Sequence, residues 1–166
     1  MPAPEMTPAV RFFPTGTTRY LWVPTIAAGT KIPTRTEIDA GTDLSTDLAE
    51  VSGFTVSSDL IDTPDINKRF TKRIAGRITA EDSSLTFYAD RTGDDVRALL
   101  PMDEEGFIVR LPGGDVAASM GSTFPVTVSS ISEEAGTDDE AGRLVVEFAI
   151  TDEPAVNWAV PAHAGP

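Results

Sequence analysis

The sequence contains no cysteine and a single histidine, His163. The absence of cysteine excludes disulfides, thiolate metal sites and a cysteine nucleophile. His163 lies in an end segment rich in Pro, Ala and Gly, where neither a Ser-His-Asp triad nor a histidine-rich metal site can be assembled. Paired carboxylates such as Asp94 and Asp95 fall in predicted loops and helix starts, where solvated charge is usual. We therefore predict no catalytic residue, no cofactor and no metal ion.

Long hydrophobic runs are also missing. No apolar stretch approaches the ~18 residues that a membrane span needs. The N-terminal residues lack the cationic segment and apolar run of a signal peptide. We expect no membrane association and a protein made and used in solution. The 166 residues, 40% of them hydrophobic, correspond to one domain. Proline-rich and glycine-rich ends predict flexible arms at 1–11 and 161–166 around a domain at 12–160.

Positive charge is scarce but concentrated. The chain carries 13 Lys and Arg against 26 Asp and Glu, a formal net charge of -13. Such a protein is repelled on average by nucleic acid, whose binding depends on Lys and Arg that neutralise phosphates. One segment, 62–77, nevertheless contains five of the cations: Lys68, Arg69, Lys72, Arg73 and Arg77. It could be a solvated, ion-paired face, a nucleic-acid contact or a contact with another copy of the chain.

The conformation of this basic segment is ambiguous from its pattern. Four apolar residues recur every four positions: Ile66, Phe70, Ile74 and Ile78. Because four is close to one helical turn and is also a multiple of two, the same residues fit one face of a helix or of a strand. The run Thr63-Pro64-Asp65 is a good helix start, whereas the β-branched residues favour a strand.

Alternation of apolar and polar residues dominates the second half of the chain. It occurs in SSLTFYAD, FIVRL, FPVTVSSI and RLVVEFAI, and it predicts half-buried strands. The polar run SEEAGTDDEAG between the last two predicts a hairpin connection. Two earlier candidates are TTRYLWVPTIA and GFTVSS, the first demoted to an edge or bulged strand by Pro24. The predicted fold class is mainly β, an antiparallel sandwich or barrel.

Two helices are predicted among the strands. The first, at about 34–40, has the capping box of Thr34 with Glu37 and ends at Gly41. The second, at about 94–100, begins with two acidic residues that suit a helix N-terminus and is stopped by a proline. Its apolar stripe is i, i+3, i+4, formed by Val96, Leu99 and Leu100. We expect this amphipathic helix to pack against the sheet.

The order of these motifs resembles the major tail proteins, or tail tube proteins, of long-tailed (siphovirus-type) bacteriophages of actinobacteria. The matching succession is TRTEIDAGTDL, AEVSGF, DTPD, GRITAEDSSLTFYAD, DDVRALLP, GFIVRLPGGD, FPVTVSSI and FAITDEPAVN. None of these motifs is diagnostic alone; their order and spacing carry the resemblance.

The resemblance implies a structural virion protein. Its copies would form stacked, hexameric rings, and the rings a hollow tail tube through which DNA passes without specific binding. The fold would be a β-sandwich with the helix at 94–100 on its flank. The N-terminal arm and PAVNWAV would reach neighbouring subunits. Implied partners are the protein itself, tape-measure protein and tail terminator and initiator proteins. The implied location is the virion tail, and the bacterial host cytoplasm during assembly.

The resemblance also favours an extended, partly irregular loop at about 60–78 that contacts a neighbouring subunit. The residues expected in that contact are Ile66, Lys68, Arg69, Phe70, Lys72, Arg73 and Arg77. An acidic subunit further suggests an electronegative bore. Alternatives are a β-sandwich binding or adhesion module, or another tail component such as a terminator or a contractile-type inner tube protein. An enzyme ranks last.

Overall fold

The computed structural model describes residues 3, 5–93, 95–134 and 141–163. Within these ranges the chain forms strands and two short helices, in the order β1 Arg19–Val23, α1 Arg35–Ala40, β2 Thr42–Asp43, β3 Leu48–Ser52, β4 Val56–Thr63, β5 Lys72–Ala80, β6 Ser83–Tyr88, α2 Val96–Leu99, β7 Glu105–Leu111, β8 Met120–Glu134, β9 Arg143–Ile150 and β10 Ala155–Ala159. Among these residues no helix is long and apolar enough to cross a membrane.

Eight strands form one antiparallel sheet in the order β2-β1-β7-β8-β9-β6-β3, with β10 beside β8. The two end strands are joined by residues 44–47. Across this link the Tyr20 amide donates to Ser45 Oγ at 2.8 Å, and the Tyr88 amide donates to the Asp47 carbonyl at 2.9 Å. The sheet is therefore curled on itself, which confirms the predicted mainly β, antiparallel fold class.

The main core lies inside the curl. In β9 the alternate residues Leu144, Val146 and Phe148 are buried, as their period-two spacing predicts. The full cluster draws on strands from both ends of the sheet and consists of Trp22, Leu44, Phe54, Leu85, Phe87, Leu100, Ile108, Phe124, Val126, Val128, Leu144, Val146 and Phe148. Burial of this much apolar surface is the main source of fold stability.

A second, smaller core lies on the opposite face of β1 and β7. Its members are Leu21, Val23, Ile26, Ile38, Val109, Leu111, Trp158 and Val160. Strand β7 is thus buried on both faces, with Ile108 in the main core and Val109 in the second. Helix α1 covers this second face through Ile38.

Helix α1 has the predicted capping box. Thr34 Oγ1 accepts a bond from the Glu37 amide, and the Glu37 carboxylate accepts one from the Thr34 amide at 2.7 Å. Gly41 is the C-cap, as predicted. A Cβ at Gly41 would lie 3.0 Å from the Trp22 carbonyl oxygen and from Val23 Cγ2. The helix therefore ends where the chain passes closely over β1.

Helix α2 is shorter than predicted. It spans Val96–Leu99, and its N-cap is Asp95, whose side chain accepts from the Arg97 amide. The sequence predicts Asp94 as the cap and Asp95 as a first-turn residue that suits the helix dipole; Asp94 lies outside the residues that the structure describes. Leu100 is the C-cap and leaves the helical conformation directly before the proline. The stripe still packs on the main core, because Leu100 is fully buried there and Val96 and Leu99 lie against it.

Two other expectations are corrected. Strand β1 lies between β2 and β7 and is not an edge strand. Pro24 follows its last residue, so the proline ends the strand without interrupting its ladder. The stretch PAVNWAV, expected to reach a neighbouring subunit, forms β10 on the chain's own β8, and its Trp158 is buried.

Candidate assembly surfaces

The basic segment belongs to a β-hairpin outside the main sheet. Strands β4 and β5 pair only with each other, from Val56 opposite Ala80 to Thr63 opposite Lys72. The structure places residues 72–80 in a strand, so the helical alternative is wrong. The irregular part of the predicted loop is limited to residues 64–71, which we call the hairpin tip. There the Lys68 amide donates to the Asp65 carbonyl at 3.1 Å and closes a turn.

The base of the hairpin is anchored in the main core. Gly53 and Phe54 both have positive φ, +77° and +55°, and redirect the chain from β3 into the hairpin. The Phe54 ring packs edge-on against Phe124, with centroids 5.3 Å apart. Its amide donates to Ser83 Oγ at 2.9 Å. The hairpin therefore projects from a fixed, buried root.

The apolar residues of the hairpin do not form the single stripe that the sequence suggested. Ile74 pairs with Ile61, whereas Ile78 pairs with Ser58, and the register shifts between these pairs. Side chains alternate between faces along β4, so Ser58 and Ile61 lie on opposite faces. The extra residue on β5 therefore moves Ile78 to the face opposite Ile74. Both faces of the hairpin carry apolar side chains.

These apolar side chains are exposed. At the tip Ile66 is fully exposed and Phe70 is 77% exposed. Along the strands the exposed apolar residues are Val56, Leu60, Ile61, Ile74 and Ile78. Contiguous exposed apolar surface on a soluble domain is typical of an interaction site.

The five cations of the segment differ in their surroundings. Arg73 donates to Asp62 at 2.7 Å on the same hairpin. Lys68 and Lys72 both lie 3.9 Å from Asp65. Neither Arg69 nor Arg77 forms an ion pair with any residue in the described ranges. The ion-paired interpretation thus holds for part of the cluster only.

A groove lies at the base of the hairpin. Its apolar walls are Val56, Ile78 and Ala80 from the hairpin and Ile150 and Pro154 from the β9–β10 connection. It encloses about 460 Å³. We call it the base groove.

Carboxylates line the same groove. Asp152 and Glu153 belong to its lining. The Lys31 ammonium lies 2.6 Å from the Asp152 carboxylate and donates to the Glu153 carbonyl at 2.8 Å, which fixes the connection. The bond from Lys31 is the largest cause that holds the pKa of Asp152 below its usual value, followed by the bond that its carboxylate accepts from the Glu153 amide. The Glu153 carboxylate is exposed.

A second charged cluster joins α1 to distant parts of the chain. Arg35 donates to Asp39 and to Asp115, at 2.5 Å to Asp115 Oδ1. His163 Nε2 lies 3.5 Å from Asp115 Oδ2. The ligand atoms of Asp39, Asp115 and His163 lie within 4.8 Å of one another, a spacing that would suit a metal ion. The Arg35 guanidinium already binds both carboxylates, so the cluster is explained as an ion-pair network.

The sequence directed attention to the segment at about 60–78 as an extended loop, but it predicted neither the hairpin of β4 and β5 nor the base groove. The hairpin residues and the residues 150–154 that form its two walls are about 70 positions apart in the sequence. No local sequence pattern predicts that such distant segments line one groove. In the sequence, Val56 was part of the strand candidate GFTVSS, and Ile78 was one of the four apolar residues that fit either a helix or a strand.

A family model described as phage tail tube protein matches residues 6–163. The chain belongs to this family, whose members are structural components of bacteriophage tails. No protein in a search of curated proteins matches the sequence.

Three solved structures with the same fold are components of injection systems or related particles. The sheath/tube terminator of the PVC extracellular contractile injection system, in its extended state, aligns with a TM-score of 0.62 at 13% identity, over 88% of this chain and 97% of that one. A chain of the anti-feeding prophage baseplate gives 0.55 at 10% identity, over 89% and 95%. A chain of the anti-feeding prophage tube-terminating cap gives 0.56 at 14%, over 86% and 90%. At these identities the likeness concerns the fold.

Proposed function

We propose that this protein is the tail tube subunit of a long-tailed, siphovirus-type phage of actinobacteria. Its copies assemble into hexameric rings that stack into a hollow tube for DNA. The tube meets a tape-measure protein inside and terminator and initiator proteins at its ends. The subunit is made in the host cytoplasm, functions in the virion tail and has no enzymatic role.

The observation that carries this proposal is the family match over residues 6–163. The exposed hairpin is consistent with it. A free subunit gains nothing from projecting Ile66 and Phe70 into water, whereas a subunit that assembles can bury them against a neighbour. We propose the hairpin at 56–80 and the N-terminal arm at 1–11 as the parts that contact other subunits, in a chain whose domain spans 12–160 and whose C-terminal tail spans 161–166.

The test is electron microscopy of the purified protein as its concentration is raised. We expect hollow tubes of uniform width made of stacked rings, and side views should show a regular axial repeat. The result against the proposal is a protein that remains monomeric even when mixed with short sheared tubes as seeds. The control sample carries Gly53→Val, which should displace the hairpin because Gly53 has positive φ and a Cβ there would lie 2.3 Å from the Asp82 carbonyl oxygen.

A second candidate function is that of a tail terminator. The likeness to a sheath/tube terminator and to a tube-terminating cap, over nearly the whole of those chains, favours it. A terminator would close a tube as a single ring and would not polymerise. The same micrographs therefore distinguish the two, since isolated rings without stacking would indicate the terminator.

A further inference from the structure

We propose that the hairpin tip of one copy docks into the base groove of the next copy, so that the subunits are linked head to tail. This inference rests on the proposed function, because it names the surfaces through which assembled subunits meet. The binding site for the hairpin tip is then the base groove of the neighbouring copy, which is formed by the base of that copy's hairpin and by its connection at 150–154.

The tip cannot reach the groove of its own chain. From Val56 at the base to Thr63 near the tip the strand makes seven steps, which at ~3.4 Å each span roughly 24 Å. The ladder between β4 and β5 holds this length extended. Tip and groove therefore lie at opposite ends of one ribbon. A contact between them has to join two copies. Because it is head to tail, it repeats from copy to copy and produces a ring where the rotation closes and a filament where it does not.

The apolar parts of the two surfaces match. The turn closed by Lys68 and Asp65 puts Ile66 at the corner of the tip, and Phe70 projects from its other arm. The base groove offers Val56, Ile78 and Ile150 as walls. Its volume of about 460 Å³ is several times that of one large side chain, so it has room for both.

The charges of the two surfaces are opposite. The hairpin tip contains one carboxylate, Asp65, and two cations, Lys68 and Arg69. The first residues of β5 add Lys72 and Arg73, the latter paired with Asp62. The groove is lined by Asp152 and Glu153, and Glu81 and Asp82 follow its wall residue Ala80. Two cations lie near the groove, Lys31, which is engaged with Asp152, and Arg77 on the hairpin. Within the described part of the chain, neither Arg69 on the tip nor Glu153 on the groove has an ion pair, so both charges are available for a contact between copies.

Opposite charge sets which surfaces meet and in which register, while the apolar contact supplies most of the affinity. The same complementarity disfavours the alternatives. Two tips would bring their cations together, and two grooves their carboxylates. The charge pattern thus selects tip to groove.

The test is disulfide cross-linking between two introduced cysteines. Because the natural sequence has no cysteine, every thiol in the experiment is an introduced one. One protein carries Asn67→Cys at the tip and a second carries Thr151→Cys in the groove, so that Ile66, Phe70 and the acidic rim stay intact. The two are mixed under assembly conditions and oxidised with a copper catalyst. The control replaces the groove variant by Ala117→Cys, an exposed position on the loop between β7 and β8.

We expect a mixed disulfide dimer at about ten-fold or more the yield of the control pair, because docking raises the effective concentration of the two thiols. A yield equal to the control would overturn the docking proposal. A predominance of Asn67→Cys homodimers would also overturn it, since that product reports a tip-to-tip contact.

Charge exchange provides an independent measurement. Arg69→Glu and Glu153→Arg should each lower the amount of pelletable tube about ten-fold, because like charges then face each other. The loss should be larger at low salt. Together, the two changes should restore tube formation. Neither residue has an ion pair in the described structure, so the melting temperatures of the single variants should equal that of the natural sequence; no rescue by the pair would count against the docking.

The experiments distinguish a failure of the docking proposal from a failure of the proposed function. Tubes without the mixed disulfide would leave the function standing and remove the docking. A mixed disulfide in short head-to-tail oligomers, with no tubes even on seeding, would retain the docking and remove the function.

Discussion

At the scale of single residues, two tryptophans use glycines on adjacent strands as their packing surfaces. A Cβ placed on Gly106 would lie 2.5 Å from the ring of Trp22, and one on Gly121 would lie 2.8 Å from the ring of Trp158. Each ring is buried, one in each core. The two glycines are therefore required because a large aromatic ring occupies the space of a side chain.

Gly106→Ala should destabilise the protein by about 1–3 kcal/mol, since overfilling a close-packed site forces the ring or the strand to move. Thermal unfolding measures it, with an expected fall in melting temperature of roughly 2–4 °C per kcal/mol for a chain of this size. The matched control is Gly29→Ala, where no atom lies within 4 Å of the added Cβ. Equal melting temperatures for the two variants would contradict the packing argument.

At the scale of elements, the Arg35 cluster fixes α1 to the loop after β7 and to the C-terminal segment. The Arg35 bonds are the main cause that lowers the pKa of Asp115 and of Asp39, and the same two partners raise the pKa of Arg35. A carboxyl whose pKa falls on folding stabilises the fold above its unfolded pKa, which is about 3.9 for Asp. That contribution is lost as the pH falls through the lowered, folded value.

Arg35→Gln should therefore reduce stability at pH 7, and the difference from the natural sequence should shrink below about pH 4, where the carboxyls become protonated in both proteins. Urea unfolding at pH 7 and at pH 3 measures it. Arg11→Gln removes a cation from the exposed N-terminal segment and should have no effect at either pH. A difference that stays constant with pH would show that Arg35 acts through packing alone.

The elements also show what a sequence can and cannot predict. Period-two alternation located β6, β7, β8 and β9, and the capping box located α1, because each depends on residues close in the chain. The hairpin was ambiguous because its apolar spacing of four satisfies both periods. Its register shift, which separates Ile74 from Ile78, leaves no local signal.

The length of α2 and the place of β10 were decided by tertiary contacts. Leu100 is drawn into the main core, which ends the helix early. The Trp158 ring packs over Gly121 of β8, and this contact holds β10 in the sheet of its own chain. The base groove, which depends on two distant segments, could not be predicted for the same reason.

At the scale of the whole molecule, the net charge of -13 sets the relation to DNA. A conduit should repel its cargo, because phosphate contacts would hold the moving duplex. In the proposed assembly the cations of the hairpin tip pair with carboxylates of the neighbouring subunit. We therefore expect the surface of the bore to carry net negative charge.

Assembled tubes should therefore leave double-stranded DNA unbound at physiological salt, which co-sedimentation measures. The free subunit, with its tip accessible, provides the comparison and should bind at most weakly and only at low salt. DNA that sediments with the tubes and is released by salt would reveal a bore lined by Lys and Arg and would contradict the electronegative bore.

The hairpin also has a kinetic consequence. An isolated two-stranded ribbon is only marginally stable in water, and the register shift between Ser58 and Leu60 interrupts the ladder of this one near its middle. Each docking event must therefore order the ribbon as well as bury its tip. When only two subunits meet, a single contact does little to offset the free-energy cost of ordering the hairpin. The end of an existing tube presents a ring of grooves that are already held in position. Growth should then start slowly and continue rapidly from ends, so that tube length is decided by the number of initiation events and by whatever closes the tube.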